Sequence, residues 1–120
     1  MIRILFVLFA LLSINIAQAG SYEDALKKND KVFLYFYLPD CRTCNAFNPI
    51  YESLKSKNKE YGFVKINVET PYGYYTFSKF KGRYVPLIIL TDSKTKKSVQ
   101  VSHTCIIDNM CLMRAMKSFN

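Results

Sequence analysis

The chain has 120 residues, 50% of them hydrophobic, and 17 lysines and arginines against 9 aspartates and glutamates, which gives a formal net charge of +8. This length supports one compact domain with a single core and excludes two. The basic balance would suit acidic partners or an anionic membrane surface. However, the lysines are scattered and no nucleic-acid motif accompanies them, so we expect no nucleic-acid partner.

The first residues have the form of a targeting segment. Arg3 precedes an unbroken apolar run over residues 4–12, and Ala17-Gln18-Ala19 is a small-x-small cleavage motif. This apolar run is shorter than the roughly 20 residues that span a bilayer, so we expect a cleaved signal peptide over residues 1–19 rather than an uncleaved anchor. Residues 20–120 then form the single domain.

Export agrees with the cysteine content of the chain. Four cysteines in a small exported domain indicate an oxidising compartment, such as a bacterial periplasm. Nothing after residue 19 is long and apolar enough to span a membrane. We therefore expect an exported protein with no stable membrane span after cleavage.

The remaining sequence predicts helices and strands in alternation. Ser21-Tyr22-Glu23-Asp24 has capping-box form, with its serine as the N-cap of a short helix that runs to about Lys28. Residues 32–38 are almost wholly apolar, β-branched and aromatic, which is typical of a central strand covered on both faces. Pro39-Asp40 ends this strand, and apolar residues at helical spacing predict a helix over 44–57.

The second half of the chain predicts three more strands. A strand is predicted over residues 63–68, a turn over 71–73 and a weak helix over 74–81. Two further strands are predicted over residues 87–91 and 98–102. The helix over 44–57 connects the strands over 32–38 and 63–68, which predicts that these two strands pair in parallel. A polar turn at 92–97 predicts an antiparallel hairpin. Asp108 is expected to cap a last helix, and Ile107 and Leu112 occupy the two positions of a hydrophobic staple.

Cys41-Arg42-Thr43-Cys44 lies between a predicted strand and a predicted helix. Unpaired N–H groups and the helix dipole favour an anion at a helix N-terminus, and a Cys41 thiolate would meet that condition. Cys44 would lie one turn inside the helix, close enough to form a disulfide. The pattern predicts Cys41 as nucleophile and Cys44 as resolving cysteine. An inert structural disulfide is the alternative, although it would close a very short loop.

These residues resemble the thioredoxin superfamily, in particular its small exported bacterial members, over nearly all of residues 21–119. Cys41 and Cys44 match the active-site pair, and Pro49 stands where many members have a proline in the following helix. Val85-Pro86 before an apolar strand resembles the family's cis-proline. The resemblance implies a thioredoxin fold, an α/β architecture with a central mixed four-stranded sheet flanked by helices. It also implies a thiol–disulfide oxidoreductase that needs no cofactor.

The resemblance further implies a client groove and partners. A cis Val85–Pro86 bond would hold Val85 with its backbone groups facing Cys41, where an extended client segment could pair as an added strand. Tyr84 would border this groove. An ordinary trans-proline in a turn is the alternative for Pro86. The implied partners are client proteins with thiols or disulfides and a protein that recycles the redox site.

Two departures from the family pattern bear on the direction of electron flow. Asp40 stands where many members have tryptophan, and Tyr35 stands where a buried carboxylate that helps deprotonate the second cysteine is common. Arg42 and Thr43 lie between the cysteines, and Arg42 favours the Cys41 thiolate while Asp40 opposes it. Together these residues favour, by a small margin, an oxidase or isomerase over a reductase.

Other residues near the predicted site have two interpretations. Tyr35 is either a core residue or a weak substitute for the acid through its hydroxyl, and Lys65 is either a solvated strand residue or a support near the site. Aromatic residues are dense before the predicted third strand, and most are expected to fill the core. They are Tyr72, Tyr74, Tyr75, Phe77, Phe80 and Tyr84.

Cys105 and Cys111 bracket the start of the last predicted helix. We expect a structural disulfide, with a second redox relay or free thiols as alternatives. His103 beside them raises a metal hypothesis, but the spacing matches no zinc template, so no metal site is predicted and His103 is expected to be a polar loop residue. Because a fold does not determine a function, a non-catalytic binding, assembly or metal-chaperone module of the cell envelope remains the alternative function.

Overall fold

The computed structural model describes residues 21–119, and the expected signal peptide over 1–19 lies outside the described residues. The helices in this part of the chain are α1 (Ser21–Lys28), α2 (Arg42–Lys57), α3 (Pro71–Lys79) and α4 (Asn109–Ser118), with a 3-10 turn at His103–Cys105. The strands are β1 (Lys31–Tyr37), β2 (Tyr61–Asn67), β3 (Leu87–Asp92) and β4 (Ser98–Gln100). Among these helices of residues 21–119, none is long and apolar enough to cross a membrane.

The four strands form one mixed sheet in the order β2-β1-β3-β4. β1 is parallel to β2 and antiparallel to β3, and β3 and β4 form an antiparallel hairpin. The predicted four-stranded sheet and the pairing of its strands are confirmed.

β1 lies at the centre of the molecule and is covered on both faces. Its residues 32–36 are fully buried. Phe33 and Tyr35 pack in a core with side chains of α2 and α4, whereas Val32, Leu34 and Phe36 pack with side chains of α1 and α3. Because both faces are covered, the strand has a continuous apolar sequence instead of an alternating one.

Three helix starts differ from the prediction. α2 begins at Arg42 and not at the predicted residue 44. α1 already includes Ser21, the residue that the capping-box pattern predicts as its N-cap. α3 begins at Pro71, so the predicted turn at 71–73 is wrong. Thr70 caps this helix because its hydroxyl accepts a hydrogen bond from the Gly73 N–H at 2.9 Å. A proline in the first helical position loses no intrahelical hydrogen bond, since the N–H there has no partner in any case.

The start of α4 confirms one prediction and corrects another. Asp108 is the N-cap, and its carboxylate accepts hydrogen bonds from the N–H groups of Met110 and Cys111 at 3.1 and 3.2 Å. The predicted hydrophobic staple is wrong, because Ile107 is 73% exposed while Leu112 is fully buried. Ile106, the residue that follows the 3-10 turn, packs in the core in place of Ile107.

The expected disulfide between Cys105 and Cys111 is present. It ties the 3-10 turn to the first turn of α4, and Cys105 is itself part of the core. From the short loop that it closes, we expect the Cys105→Ser/Cys111→Ser variant to lose about 2 kcal/mol of unfolding free energy. Urea unfolding, with the other disulfide intact, measures this loss. A stability equal to that of the unchanged protein would contradict a structural role.

Candidate active site

Four chain segments meet at one end of the sheet. β1 and β2 are parallel, and their last residues, Tyr37 and Asn67, are register partners. β3 is antiparallel to β1, so its first residue, Leu87, lies opposite Phe36. β4 is antiparallel to β3 and therefore finishes, at Gln100, toward the same end. The segments after β1, β2 and β4 and the segment before β3 thus converge at what we call the Cys41 end of the sheet.

Cys41 is the N-cap of α2. Its Sγ accepts a hydrogen bond from the Cys44 N–H at 3.1 Å. The two cysteines form a disulfide with their Cα atoms 5.2 Å apart. The predicted place of Cys41, at or just before the helix N-terminus, is confirmed. The unpaired N–H groups and the dipole of α2 therefore act directly on Sγ and would stabilise a thiolate there.

The two sulfurs differ in accessibility. Cys41 is half-buried, whereas Cys44 is 0% exposed and belongs to the buried face of α2. A thiolate from outside must approach one sulfur of a disulfide to exchange with it. The arrangement offers Cys41 for this approach and shields Cys44.

Tyr35 packs between the sheet and α2 and contacts the first turns of this helix. It is fully buried, and its hydroxyl lies 3.0 Å from the Cys44 carbonyl oxygen and 2.8 Å from Asn48 Oδ1. Burial, with a smaller contribution from Tyr37, raises the pKa of Tyr35 well above its usual value. Tyr35 is therefore a neutral hydrogen-bond donor to the helix and not a proton acceptor. The interpretation of Tyr35 as a core residue is confirmed, its hydroxyl also contacts the helix of the pair, and the interpretation as a substitute for the acid is not supported.

The charged and polar neighbours of the cysteines lie at the surface. Asp40, Arg42 and Thr43 are all exposed. Within residues 21–119, neither Asp40 nor Arg42 forms a salt bridge. Their fields at Cys41 are therefore opposite in sign and screened by solvent.

Lys65 lies on β2 directly opposite Tyr35 in the register. Its Nζ is 4.5 Å from the centroid of the Tyr37 ring and 5.8 Å from that of Tyr35. An ammonium group this close to aromatic rings is attracted by their negative faces. Lys65 is thus an exposed residue that also contacts Tyr35 and Tyr37, two aromatic residues of β1 near the Cys41 end of the sheet.

Val85 and Pro86 precede β3 and so lie at the Cys41 end of the sheet. The peptide bond between them is cis. Pro86 is buried, Val85 is half-buried, and Tyr84 is 36% exposed. The chain thus brings all three predicted groove residues to the same end of the sheet as the disulfide.

A cluster around Tyr84 lies beyond what the sequence predicts. The Gln100 side-chain amide donates a hydrogen bond to the Tyr84 hydroxyl at 2.8 Å. The His103 ring meets the Tyr84 ring edge to face, with centroids 4.9 Å apart. These contacts join the segment before β3 to the end of β4 and to the 3-10 turn after it, so His103 is more than a polar loop residue. No local pattern signals them, because the partners are far apart in the sequence.

The expectation that most of the aromatic residues before β3 fill the core needs correction. Tyr72, Phe77 and Phe80 do pack against the core between the sheet and the α1–α3 layer. Tyr74 and Tyr75, however, are 65% and 67% exposed. α3 is a short helix on one face of the sheet, so two successive side chains on its outer side cannot reach the core.

Comparison with known proteins agrees with this geometry. The family model described as thioredoxin matches residues 13–110 of the chain. Thioredoxin of Mycoplasmoides gallisepticum is 28% identical over 75 residues, which cover 62% of this chain and 73% of that protein.

Solved structures are similar in fold. A mutant thioredoxin from Halobacterium salinarum superposes with a TM-score of 0.67 at 25% identity, covering 80% of each chain. Thioredoxin of Fasciola hepatica gives a TM-score of 0.68 at 18% identity, covering 82% of this chain and 90% of that one. The match of the family model, over more than half of the sequence and across the cysteine pair, identifies the family. The chain belongs to the thioredoxin family of thiol–disulfide oxidoreductases.

Proposed function

We propose that this protein exchanges disulfides with client proteins through Cys41 and Cys44, with Cys41 as the attacking cysteine and Cys44 as the resolving one. The observation that carries the proposal is the contrast between a half-buried Cys41 at the N-cap of α2 and a fully buried Cys44. A partly accessible cysteine at a helix N-terminus, paired with a buried one, has the properties of an exchange-active cysteine.

With the pair oxidised, exchange begins at Cys41. A client thiolate attacks Cys41 Sγ, a client–Cys41 disulfide forms, the Cys41–Cys44 bond breaks, and Cys44 leaves as a thiolate that takes up a proton. A second client thiolate then attacks the client sulfur of the mixed disulfide and releases Cys41 as a thiolate. Two electrons pass from the client dithiol to the pair, and the client gains a disulfide.

The reverse direction places its demand on Cys44. To reduce a client, Cys44 must lose its proton and attack the mixed disulfide. The hydroxyl of Tyr35 bonds to the Cys44 carbonyl, and its pKa is raised by burial, so it does not accept that proton. The oxidising direction has no such requirement, and we therefore propose an oxidase or isomerase.

The proposed location and partners follow from the sequence. Arg3, the apolar run and the Ala17-Gln18-Ala19 motif support export with cleavage after Ala19, into a compartment such as the bacterial periplasm. An oxidase that has accepted two electrons must pass them on before its next turnover. We therefore propose a second partner protein that reoxidises the pair.

Client contact is assigned to the Cys41 end of the sheet. Val85 and Pro86 supply backbone at the same end of the sheet as the pair, and the exposed ring of Tyr84, held by Gln100 and His103, provides an adjoining apolar surface. An extended client segment would pair with the Val85 backbone as an added strand.

Alkylation of the reduced protein tests the order of the two cysteines. We expect Cys41 to react with iodoacetamide at neutral pH at least about tenfold faster than Cys44, because it is accessible and its thiolate is stabilised. Mass spectrometry of peptides from the Cys105→Ser/Cys111→Ser variant resolves the two rates without interference from the second pair. Equal rates would overturn the assigned roles.

A further inference from the structure

A second concave surface lies between β4 and α4. It is a groove of about 480 Å³, and its lining includes the apolar side chains of Val99, Val101, Ala115 and Phe119. Val99 is 39% exposed in it. The charged residues that line the groove within residues 21–119 are cations, Lys97 and Arg114. Cys41, Cys44, Tyr84, Val85 and Pro86 do not line this groove, although Gln100, which does, also donates a hydrogen bond to Tyr84.

β4 is an edge strand in the described sheet, and its residues Val99 and Gln100 line the groove. The Val101 N–H donates to the Ile88 carbonyl at 3.0 Å, and the Asp92 N–H donates to the Lys97 carbonyl at 2.9 Å. In an antiparallel pair, alternate residues turn their backbone groups toward the neighbouring strand. Residues 97, 99 and 101 therefore face β3, and Ser98 and Gln100 present their N–H and carbonyl groups outward. Such an edge is a template for another strand.

We propose that an extended, acidic segment of a partner protein binds this groove as a fifth strand of the sheet. Its backbone would pair with Ser98 and Gln100, and every second side chain would face the apolar groove. Its carboxylates would lie on this same groove-facing side, before and after the apolar side chains, where Lys97 and Arg114 line the groove.

The positive charge of the groove favours an acidic partner. Lys96 and Lys117 are exposed and are sequence neighbours of the lining residues Lys97 and Ser118, so this region carries further positive charge. The nearby carboxylates are engaged elsewhere, since Asp92 accepts hydrogen bonds from the 94–95 backbone and Asp108 caps α4. Pairing of two copies through β4 would bring two cationic sets together, and this repulsion disfavours a dimer. An acidic partner neutralises the same charges.

Titration with defined peptides tests the proposal on the oxidised, native protein. The probe is an acetylated hexapeptide in which glutamate, valine and glutamate alternate with threonine, so that its acidic and apolar side chains share one face. Its control replaces each glutamate with lysine. We expect NMR shifts of the acidic peptide's complex to map to residues 97–102 and 111–119, and the lysine peptide to bind at least about tenfold more weakly. Equal binding of the two peptides, or shifts confined to the Cys41 end, would overturn the proposal.

Two further comparisons separate strand pairing from general attraction. The Lys97→Glu/Arg114→Glu variant should prefer the lysine peptide while keeping its client exchange through Cys41. N-methylation of one alternate set of peptide nitrogens should abolish binding, and methylation of the other set should not, because only one set faces β4. Loss with both sets or with neither would contradict strand addition, as would dimerisation of the protein through β4. The proposal does not depend on the proposed function, since the exchange assay is read separately.

Discussion

Replacing Cys41 by serine should abolish client exchange, and replacing Cys44 by serine should trap clients instead. Serine at 41 removes the only sulfur of the pair that a client can reach, because Cys44 is fully buried. Serine at 44 leaves the Cys41 thiolate able to attack a client disulfide, but no second thiol remains to release the mixed disulfide. Non-reducing gels and mass spectrometry of the linked peptides measure both outcomes.

The second disulfide provides the matched control for this experiment. The Cys105→Ser/Cys111→Ser variant removes the sulfurs of a disulfide at the start of a different helix, α4. It should keep its exchange activity at a temperature where it remains folded. Exchange that survives Cys41→Ser, or trapping through Cys105 or Cys111, would show that the assigned pair is wrong.

Substitution of Gly73 by alanine should be among the most destabilising changes in the molecule. Gly73 is buried in α3, and a Cβ placed there would overlap the backbone carbonyl of Asn67 at the end of β2. Backbone cannot rotate away as a side chain can, so α3 must move off the sheet. We expect a loss of about 3 kcal/mol in unfolding free energy, at the upper end for overpacked sites.

Gly62→Ala is the control for Gly73→Ala. A Cβ at Gly62 would also meet a neighbour, but that neighbour is the side-chain amide of Asn29, which can turn aside. Urea unfolding of the two variants compares a rigid with a movable obstacle. Similar midpoints for both would argue against the close approach of α3 to β2.

Much of the fold could be predicted because its signals are local. The continuous apolar run of β1 reflects burial on both faces, and the Asp108 cap is visible in the sequence at the start of α4. The prediction failed where a position has two local interpretations. Pro71 is compatible with a turn and with the first position of a helix. The helix forms here because the Thr70 hydroxyl accepts a hydrogen bond from the Gly73 N–H and caps it.

The candidate site was only partly predictable for a related reason. The cysteine motif and its place at a helix start follow from neighbouring residues. The hydrogen bond from Tyr35 to Asn48 and the contacts of Tyr84 with Gln100 and His103 depend on how separate elements pack. The exposure of Tyr74 and Tyr75 likewise depends on which side of α3 meets the sheet, which an aromatic-rich sequence does not specify.

Redox titration of the Cys41–Cys44 pair against glutathione tests the central claim most directly, because it asks whether this disulfide is active and in which direction. We expect reversible exchange with a potential of roughly −120 to −180 mV, in the range of oxidases and isomerases, since Arg42 adds to the helix N-terminus in favouring the Cys41 thiolate. A potential near roughly −270 mV would contradict the proposed direction. A pair that stays oxidised below about −300 mV, as structural disulfides do, would contradict the function itself.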